Sequence, residues 1–507
     1  MPIGAFRLNT LSAALAASGS ITASGGALNY YTSGGVSYKV HTFTSTGNNN
    51  FIVSAVTGSP VVDTLLVGGG AAGGAISTTF QQGGGGGGGG GQVLYQTGIS
   101  VSAQTYVISV GAGGTASATA TSNAGTQTTG LGYTALGGGS AVTGAGGTNG
   151  GGSGTVSSSG FTSTAGTYPY KGGNSFGSST ANRAGGGGAG AGGAGGNATS
   201  ATGGAGGLPL LNSIDGNNTY YAAGGGGSGF TTGGVGWDST GTSQISGNYG
   251  QGKGNANTSG QSAASGTYGS GGGGAISITA GNGVTQNGGA GRQGISIVRY
   301  PFTGDWISFV STANSAKGGT NITIPTVQTG DIAILFQGAD NTTTTAPTAV
   351  NPSGWTSVVN ASQTTTAGLR IQIHYKILNS SDSGTSVSCM SGTANSYHHI
   401  VVYRPSRTYT LSTPTPNQQA TNAAPTNQTL TMTGITGPYI GVAYSYSSGT
   451  PTLSSTTTAT RTAGQANNGG IINLFESTDS GISFATPTIS ATDTGQNALA
   501  SFRLILT

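Results

Sequence analysis

The sequence predicts an all-β protein: a glycine-rich domain with a small β-sheet base and packed polyglycine layers of polyproline-II type, followed by a β-sandwich resembling a jelly roll. Three observations carry this expectation. Glycine supplies 102 of 507 residues and only 5% are charged, against roughly 7% glycine and 25% charge in ordinary globular chains. Short runs of β-branched and aromatic residues, bounded by Gly and Asn, recur along the chain, which is strand-and-turn chemistry. The long Leu-, Glu-, Lys- and Ala-rich periodic stretches that helices require are missing. Composition divides the chain into a segment 1–28, a glycine-rich region 29–303 and a Thr/Ser-rich tract 304–507.

The first segment carries one positive charge, Arg7, and a weakly apolar stretch at 11–17 that is too rich in Ala and Ser to favour a cleaved signal. In the glycine-rich region the expected strands are 38–43, 51–56, 61–67, 92–95, 106–110 and 295–300, forming one sheet or small sandwich. Residues 111–294 are then a long excursion from it. Flexible linker is one reading of the glycine runs. Against it stands the apolar punctuation between runs, including Leu131, Tyr133, Phe161, Phe176, Leu208, Leu210 and Leu211, because linkers need no anchors. Glycine lacks a Cβ, so backbones can approach closely. Polyproline-II helices have three residues per turn and no internal hydrogen bonds. Built of glycine, they can pack side by side and exchange N–H and C=O bonds between segments, at a high entropic cost. Packed layers are the favoured reading, with Gly188 and Gly193 inside them. In the third region eleven short strands, 306–310, 321–324, 331–336, 356–359, 369–376, 386–389, 398–403, 428–432, 439–444, 470–475 and 499–505, suggest a sandwich or jelly roll. About 200 residues suffice for its own core.

Most chemistry is excluded or undirected. The formal charge is only +4, and the basic residues (Arg7, Lys39, Lys171, Arg183, Lys253) are scattered, so no phosphate-tracking patch for nucleic acid appears. No run approaches the ~20 apolar residues of a membrane span. Gly247 to Gly254 satisfies G-x-x-x-x-G-K, but Gly254 stands where Ser or Thr would bind Mg²⁺, and no nucleotide or other cofactor is expected. Cys389 is a lone cysteine. His398 and His399 are adjacent and face opposite sides of a strand, so only one could join His374, and no metal site is expected. Asp305, Asp331, Asp382, Asp479 and Asp493 lie in turn sequences, where Asp caps its own backbone. No acidic pair for glycoside hydrolysis stands out, and the chain is not expected to be an enzyme.

The succession VDTLLVGGGAAGGA, a long Gly run, QVLYQTGISVSAQTYVISVGAGG, YYAAGGGGSG and GGAGRQGISIVRY resembles the glycine-rich domain of tailed-phage virion proteins, common in fibre and adhesin chains. The resemblance spans roughly residues 30–300. The opening MPIGAFRLNTL is similar to the first residues of many marine-phage structural proteins. The series TIPTVQTGDIAILF, PSGWTSV, RIQIHYKIL and HHIVVYRP is similar to a β-sandwich module of phage virion proteins. In architecture the excursion is similar to the polyglycine-helix adhesins of T-even fibre tips, where loops between glycine helices contact the receptor.

The resemblance implies a virion structural protein on the particle surface, foremost a tail-fibre or receptor-binding component that attaches to the host. The alternatives are a capsid-decorating or head-fibre protein, and a bacterial surface protein or polysaccharide-acting enzyme. Partners would be other virion proteins, docked through Phe6, Arg7, Leu8 and Leu11, and a bacterial receptor, either a glycan or an outer-membrane protein. Fibres are usually homotrimers, although no coiled-coil heptads support one here. The candidate receptor contacts are Tyr168, Tyr170, Tyr220, Tyr221, Phe230, Trp237 and Tyr249. Their loops combine Tyr with Ser, Gly and Asn, which give large amphipathic contact at low entropy cost plus adaptable hydrogen bonding. The competing reading is that these rings close the glycine layers as a core.

Overall fold

The structure, a computed structural model, describes residues 19–76, 83–116, 123–141, 170–177, 183–237, 242–244, 250, 252, 259–260, 268–277, 286–364, 368–407, 409, 417–421, 428–432, 438–447, 451–465, 469–478, 486–491 and 497–506. The all-β architecture is as the sequence predicts. Among the described residues no helix is long and apolar enough to cross a membrane. The chain forms two compact units, 1–302 and 303–507.

The strands of the first unit are β1 (Ile21–Ser24), β2 (Ala27–Ser33), β3 (Val36–Phe43), β4 (Gly47–Val56), β5 (Val61–Val67), β6 (Gly83–Gly84), β7 (Val93–Ser100), β8 (Gln104–Val110) and β9 (Thr128–Gly130). They continue with β10 (Tyr133–Ala135), β11 (Phe176–Gly177), β12 (Arg183–Ala184), β13 (Leu210–Asn212), β14 (Thr219–Tyr221), β15 (Gly236–Trp237), β16 (Ser243–Gln244), β17 (Ile276–Ser277) and β18 (Ile295–Pro301). Two five-stranded sheets, ordered β1-β4-β8-β9-β10 and β2-β3-β18-β5-β7, share a core of Phe51, Val53, Ile108 and Val110 from one and Phe43, Val62, Val298 and Tyr300 from the other. Strand β4 shows the period of two that a half-buried strand requires: Phe51 and Val53 are buried while Ile52 is exposed. Strand β18 returns after the glycine excursion and inserts between β3 and β5. Its other face, Ile295 and Ile297, packs with Val40, Leu65 and Val67 under Ile214 and Tyr221 of the β13–β14 hairpin.

The glycine runs are neither strands nor linkers. From Gly68 to Ile76 the backbone donates in strict rotation to three neighbours. Gly68, Ala71 and Gly74 donate to the carbonyls of Gln92, Gly89 and Gly86; Gly69 and Ala72 donate to Thr126 and Asn123; Gly70, Gly73 and Ile76 donate to Arg292, Gly289 and Gln286, all at 2.8 to 3.0 Å. Each neighbour is met every third residue, which is the period of a polyproline-II helix. The 83–92 run repeats the pattern. Gly85, Gly88 and Gly91 donate to Ala275, Gly272 and Gly269, Gly87 and Gly90 to Gly186 and Ala189, and Gly89 and Gln92 to Gly139 and Leu136. In the same run Gly85 and Gly88 accept from Ser228 and Gly225. The runs therefore form a lattice in which backbone replaces the side-chain core and satisfies its own polar groups.

Alanine fits at a few lattice positions, such as Ala71 and Ala72, but at many others only glycine does, for a steric reason. A Cβ built on Gly188 would lie 2.0 Å from the carbonyl oxygen of Gly88, one on Gly87 1.9 Å from that of Gly225, and one on Gly272 1.9 Å from that of Gly289. Gly193 differs from the expectation. It lies at a turn, where an added Cβ would meet only the Leu208 side chain at 3.5 Å, an ordinary contact.

The second unit is not one jelly roll but two copies of one topology. Its strands are β19 (Ile307–Asn314), β20 (Asn321–Thr323), β21 (Ile332–Asp340), β22 (Thr356–Gln363), β23 (Leu369–Ile377), β24 (Ser386–Ser388) and β25 (Asn395–Pro405) in the first copy. The second copy holds β26 (Asn417–Thr421), β27 (Gln428–Thr429), β28 (Tyr439–Ser447), β29 (Leu453–Ser455), β30 (Arg461–Gln465), β31 (Gly470–Ser477), β32 (Thr488–Ala491) and β33 (Asn497–Ile505). The large sheets run β19-β25-β21-β23-β22 and β26-β33-β28-β31-β30, and the small ones β20-β24 and β27-β32-β29. Apart from the added β29, each strand of one copy has its counterpart in the other. Ile334, Phe336 and Tyr403 of one large sheet share a core with Val442, Tyr444 and Phe502 of the other. The opposite faces pack on the small sheets through Leu335 and Val402 and through Ala443 and Leu499. Four β layers result, and β21 and β28 are buried along their whole length.

Three histidines are buried in the first copy. Gln337, whose Oε1 accepts from the Met390 N–H, donates its amide to His374 Nδ1 at 3.2 Å, so His374 carries its proton on Nε2 and donates to Asn351 Oδ1 at 3.1 Å. His398 Nε2 donates to the Gly319 carbonyl at 2.9 Å, and the ring nitrogen His399 Nε2 has no hydrogen-bond partner among the described residues. Burial pushes all three imidazoles down to about 4. Because these values are depressed, their contribution to stability is complete above pH 6.5 and is lost as pH falls toward 4.

Two expectations follow. Gly188→Ala should destabilise the first unit by more than about 3 kcal/mol, while Gly193→Ala shifts thermal unfolding little; equal and negligible effects would remove the lattice. Denaturant unfolding of the second unit, followed by tryptophan fluorescence from Trp306 and Trp355, should lose ~3 kcal/mol per buried imidazole between pH 6.5 and 4. The raised carboxyls of Asp340 and Glu476 act in the opposite direction over this interval, so the deciding readout is the imidazole NMR shifts, and titration of all three near pH 6.5 would contradict their burial as neutral rings.

Candidate functional site

A groove of about 460 Å³ in the first unit is lined by residues that include Tyr31, Tyr95, Asn212, Asn218 and Arg299. Its floor is the β2-β3-β18-β5-β7 sheet. Arg299, on the central strand β18, pairs in register with Asp63 of β5, and its Nε donates to Asp63 Oδ2 at 3.0 Å. One terminal nitrogen donates to Tyr31 Oη, and the other to Tyr95 Oη at 2.9 Å. The guanidinium also lies 4.8 Å from the Tyr38 ring centre, and Tyr38 stacks on Tyr31 at 5.3 Å. Arginine suits this position because its planar fork satisfies several acceptors at once and stacks on rings. Burial pushes the hydroxyls of Tyr31 and Tyr95 above the ordinary tyrosine value, so both remain neutral donors.

The groove's far wall is the turn between β13 and β14. Ile214 anchors it by burial in the core beneath. The Tyr31 hydroxyl donates to the Ile214 carbonyl at 3.0 Å. Asn212 Oδ1 accepts from the Ile214 N–H at 2.9 Å, Asp215 Oδ1 from the Asn217 N–H at 3.0 Å, and Asn218 Oδ1 from Ser213 Oγ at 2.7 Å. Gly216 has φ +89°, and a Cβ there would lie 2.6 Å from Cγ of Tyr31. Glycine thus lets the turn rest on the tyrosine ring. The wall is held by local side-chain-to-backbone bonds, a preorganised arrangement.

Residues 44–301 match the family model for a glycine-rich domain. The chain belongs to the glycine-rich domain family. No curated protein matches it.

Within the glycine-rich domain the sequence-predicted contact residues are dispersed. Tyr170 is exposed, and Tyr220 and Phe230 are half-buried. Trp237 donates its indole N–H to the Gly206 carbonyl at 2.7 Å, which ties it to the lattice. Tyr221 requires a correction: it is buried in the cluster under the hairpin, because successive residues of a strand point to opposite faces, and it is a core residue rather than a contact. No ring contact joins Tyr170, Tyr220, Phe230 and Trp237 among the described residues. Tyr168 and Tyr249 lie outside the described residues, as do Phe6, Arg7, Leu8 and Leu11 and the Gly247 to Gly254 motif except Gly250 and Gly252. The groove residues Tyr31, Tyr95, Asn218 and Arg299 escaped sequence reasoning, although Asp63 and Arg299 are conspicuous charges inside strands.

The carboxylates expected in turns do more than cap. Asp331 accepts from the Gln328 N–H and pairs with Arg404, Asp382 accepts from the Asn379 N–H and pairs with Lys376, and Asp305 pairs with Arg407. Asp479 and Asp493 lie outside the described residues.

Gly216→Ala should lift the 212–218 turn from Tyr31 without unfolding the sandwich. Amide exchange at 212–218 is expected to accelerate about tenfold or more, equivalent to ~1.4 kcal/mol of local protection, with protection of β3, β5 and β18 unchanged. Unchanged exchange in the turn would contradict the packing of Gly216 on the ring.

Proposed function

We propose that the chain is a surface protein of a tailed-phage virion that binds a receptor on the bacterial cell, in the manner of a tail-fibre or adhesin subunit. The observation that carries the reading is the groove, a concave polar surface whose two walls are locked before any ligand arrives. Preorganisation of this kind lowers the cost of binding. The groove's two opposite charges, Arg299 and Asp63, are committed to each other, which suits recognition rather than proton transfer. Membership of the glycine-rich domain family and the resemblance of the flanking segments to virion proteins support the particle surface as its location. The segment 1–28 is the proposed docking segment for other virion proteins, through Phe6, Arg7, Leu8 and Leu11, with a homotrimer as the proposed assembly.

The test uses intact particles. Antibodies to the second unit should label the tail tip in electron micrographs, and phage carrying Gly216→Val should adsorb to host cells at least tenfold more slowly. Labelling confined to the capsid would replace the fibre reading with the head-decoration one. Unlabelled particles, or adsorption unaffected by the substitution, would remove the receptor-binding role.

A further inference from the structure

We infer that the groove between β2, β7, β18 and the 212–218 turn binds a neutral sugar ring of a glycan, an inference that names the ligand class for the receptor-binding reading above. The argument begins with charge. Arg299 is the groove's cation, and it is neutralised by Asp63 at 3.0 Å. Asp215 adds a negative charge in the turn, with its backbone carbonyl held by Asn29. Counting Arg299 against Asp63 and Asp215 leaves the site one charge negative, which disfavours phosphates, uronates and sialates. A nucleic acid would need uncompensated Lys or Arg.

The lining chemistry points the same way. Thr32, Ser33 and Ser213 bring aliphatic hydroxyls, Tyr31 and Tyr95 phenolic ones, and Asn212 and Asn218 carboxamides. Both carboxamide oxygens are already engaged, by Ile214 N–H and by Ser213 Oγ. Their NH₂ groups, without partners among the described residues, are the donors left for a ligand. The Tyr95 hydroxyl accepts from Arg299 at 2.9 Å and donates to Asp63 at 3.4 Å, which fixes the ring, and the ring is 39% exposed. It offers a flat apolar face in the same groove as those NH₂ groups, the pairing that a pyranose presents in reverse, with C–H bonds on one face and hydroxyls at the rim. Ile214 is the lining aliphatic, and its side chain is committed to the core, so an apolar peptide anchor finds no pocket. A volume of about 460 Å³ lies within the ~300–1,000 Å³ of small-molecule sites and accommodates one or two sugar rings.

The test measures saturation-transfer NMR and calorimetry on the full chain with methyl glycosides of glucose, galactose, mannose and N-acetylglucosamine, and with glucuronate and methyl sialoside as acidic comparisons. At least one neutral glycoside should bind with millimolar affinity and at least tenfold more tightly than either acidic sugar. Tyr95→Ala and Asn218→Ala, both at exposed positions, should each weaken binding at least tenfold while thermal unfolding stays unchanged. Should either variant unfold, chemical-shift mapping on the unaltered chain replaces it, with perturbations expected at 31–33, 95 and 212–218. No neutral glycoside binding, equal or tighter binding of acidic sugars, or binding that survives both folded variants would overturn the inference. Sugar binding by a chain that labelling places off the virion would remove the receptor reading and leave this inference standing.

Discussion

A carbonyl oxygen sits where a Cβ would have to be. That relation recurs through the lattice of the first unit: at Gly188 against Gly88, at Gly225 against Gly272, at Gly272 against Gly289. It follows from letting extended three-residue-per-turn segments approach until each N–H reaches a neighbour's C=O. Orientation of the neighbour is immaterial, since Gly87 and Gly90 reach Gly186 and Ala189 in parallel while Gly85 and Gly88 reach Ala275 and Gly272 in antiparallel. The lattice therefore has no hydrophobic driving force of the usual kind and must offset the high chain entropy of glycine with densely satisfied backbone. Charge is scarce for the same reason. A lattice without side chains has nowhere to put one.

The consequence for function is spatial. Side-chain chemistry must sit where the lattice gives way to ordinary strands. Strand β18, which closes the excursion, supplies Arg299, and the excursion lays the short hairpin β13–β14 on the sheet that holds β18. Ile214 and Tyr221 bury that hairpin against Leu65 and Ile297, and the turn it carries becomes the groove wall. The site is thus a seam between two kinds of packing. Its rigidity comes from both, because the sheet fixes Tyr31, Tyr95 and Arg299 while the core residues of the hairpin fix the turn.

These relations explain what the sequence made legible. Strands such as Val61–Val67 and Ile295–Pro301 announce themselves by β-branched residues between glycines, and the three-residue helix follows from glycine's lack of a Cβ. The groove was hidden because its members are remote: Tyr31 and Arg299 are 268 positions apart. Only an alignment of strands brings them together, and pairing order is not written in local pattern. Tyr221 was open to correction from sequence, since Tyr220-Tyr221 on one strand cannot both face outward. The duplication in the second unit was obscured differently. IAILFQGAD and YIGVAYSYS share burial but few residues, and a strand covered on both faces loses the alternation that would reveal its register.

Register in that four-layer stack needs another source, and two polar pairs across the copies supply it. Tyr446 of the second copy donates to Asp340 of the first at 2.7 Å, and Tyr403 of the first donates to Glu476 of the second at 2.9 Å. Glu476 is the only glutamate in the chain. Burial raises both carboxyl groups above their ordinary values, so each pair costs desolvation that an apolar contact would not. Gly338 supports the first pair, because a Cβ there would occupy the place of the Tyr446 ring. Apolar faces alone would tolerate a slide of one sheet over the other. Asp340 also accepts from Asn395 and Glu476 is also paired with Arg461 inside its own copy, but a slide would still strip each buried carboxylate of its tyrosine donor, so the two pairs favour one alignment. Their value lies in specificity more than in stability, which is why a chain that otherwise avoids charge keeps its one glutamate inside this interface.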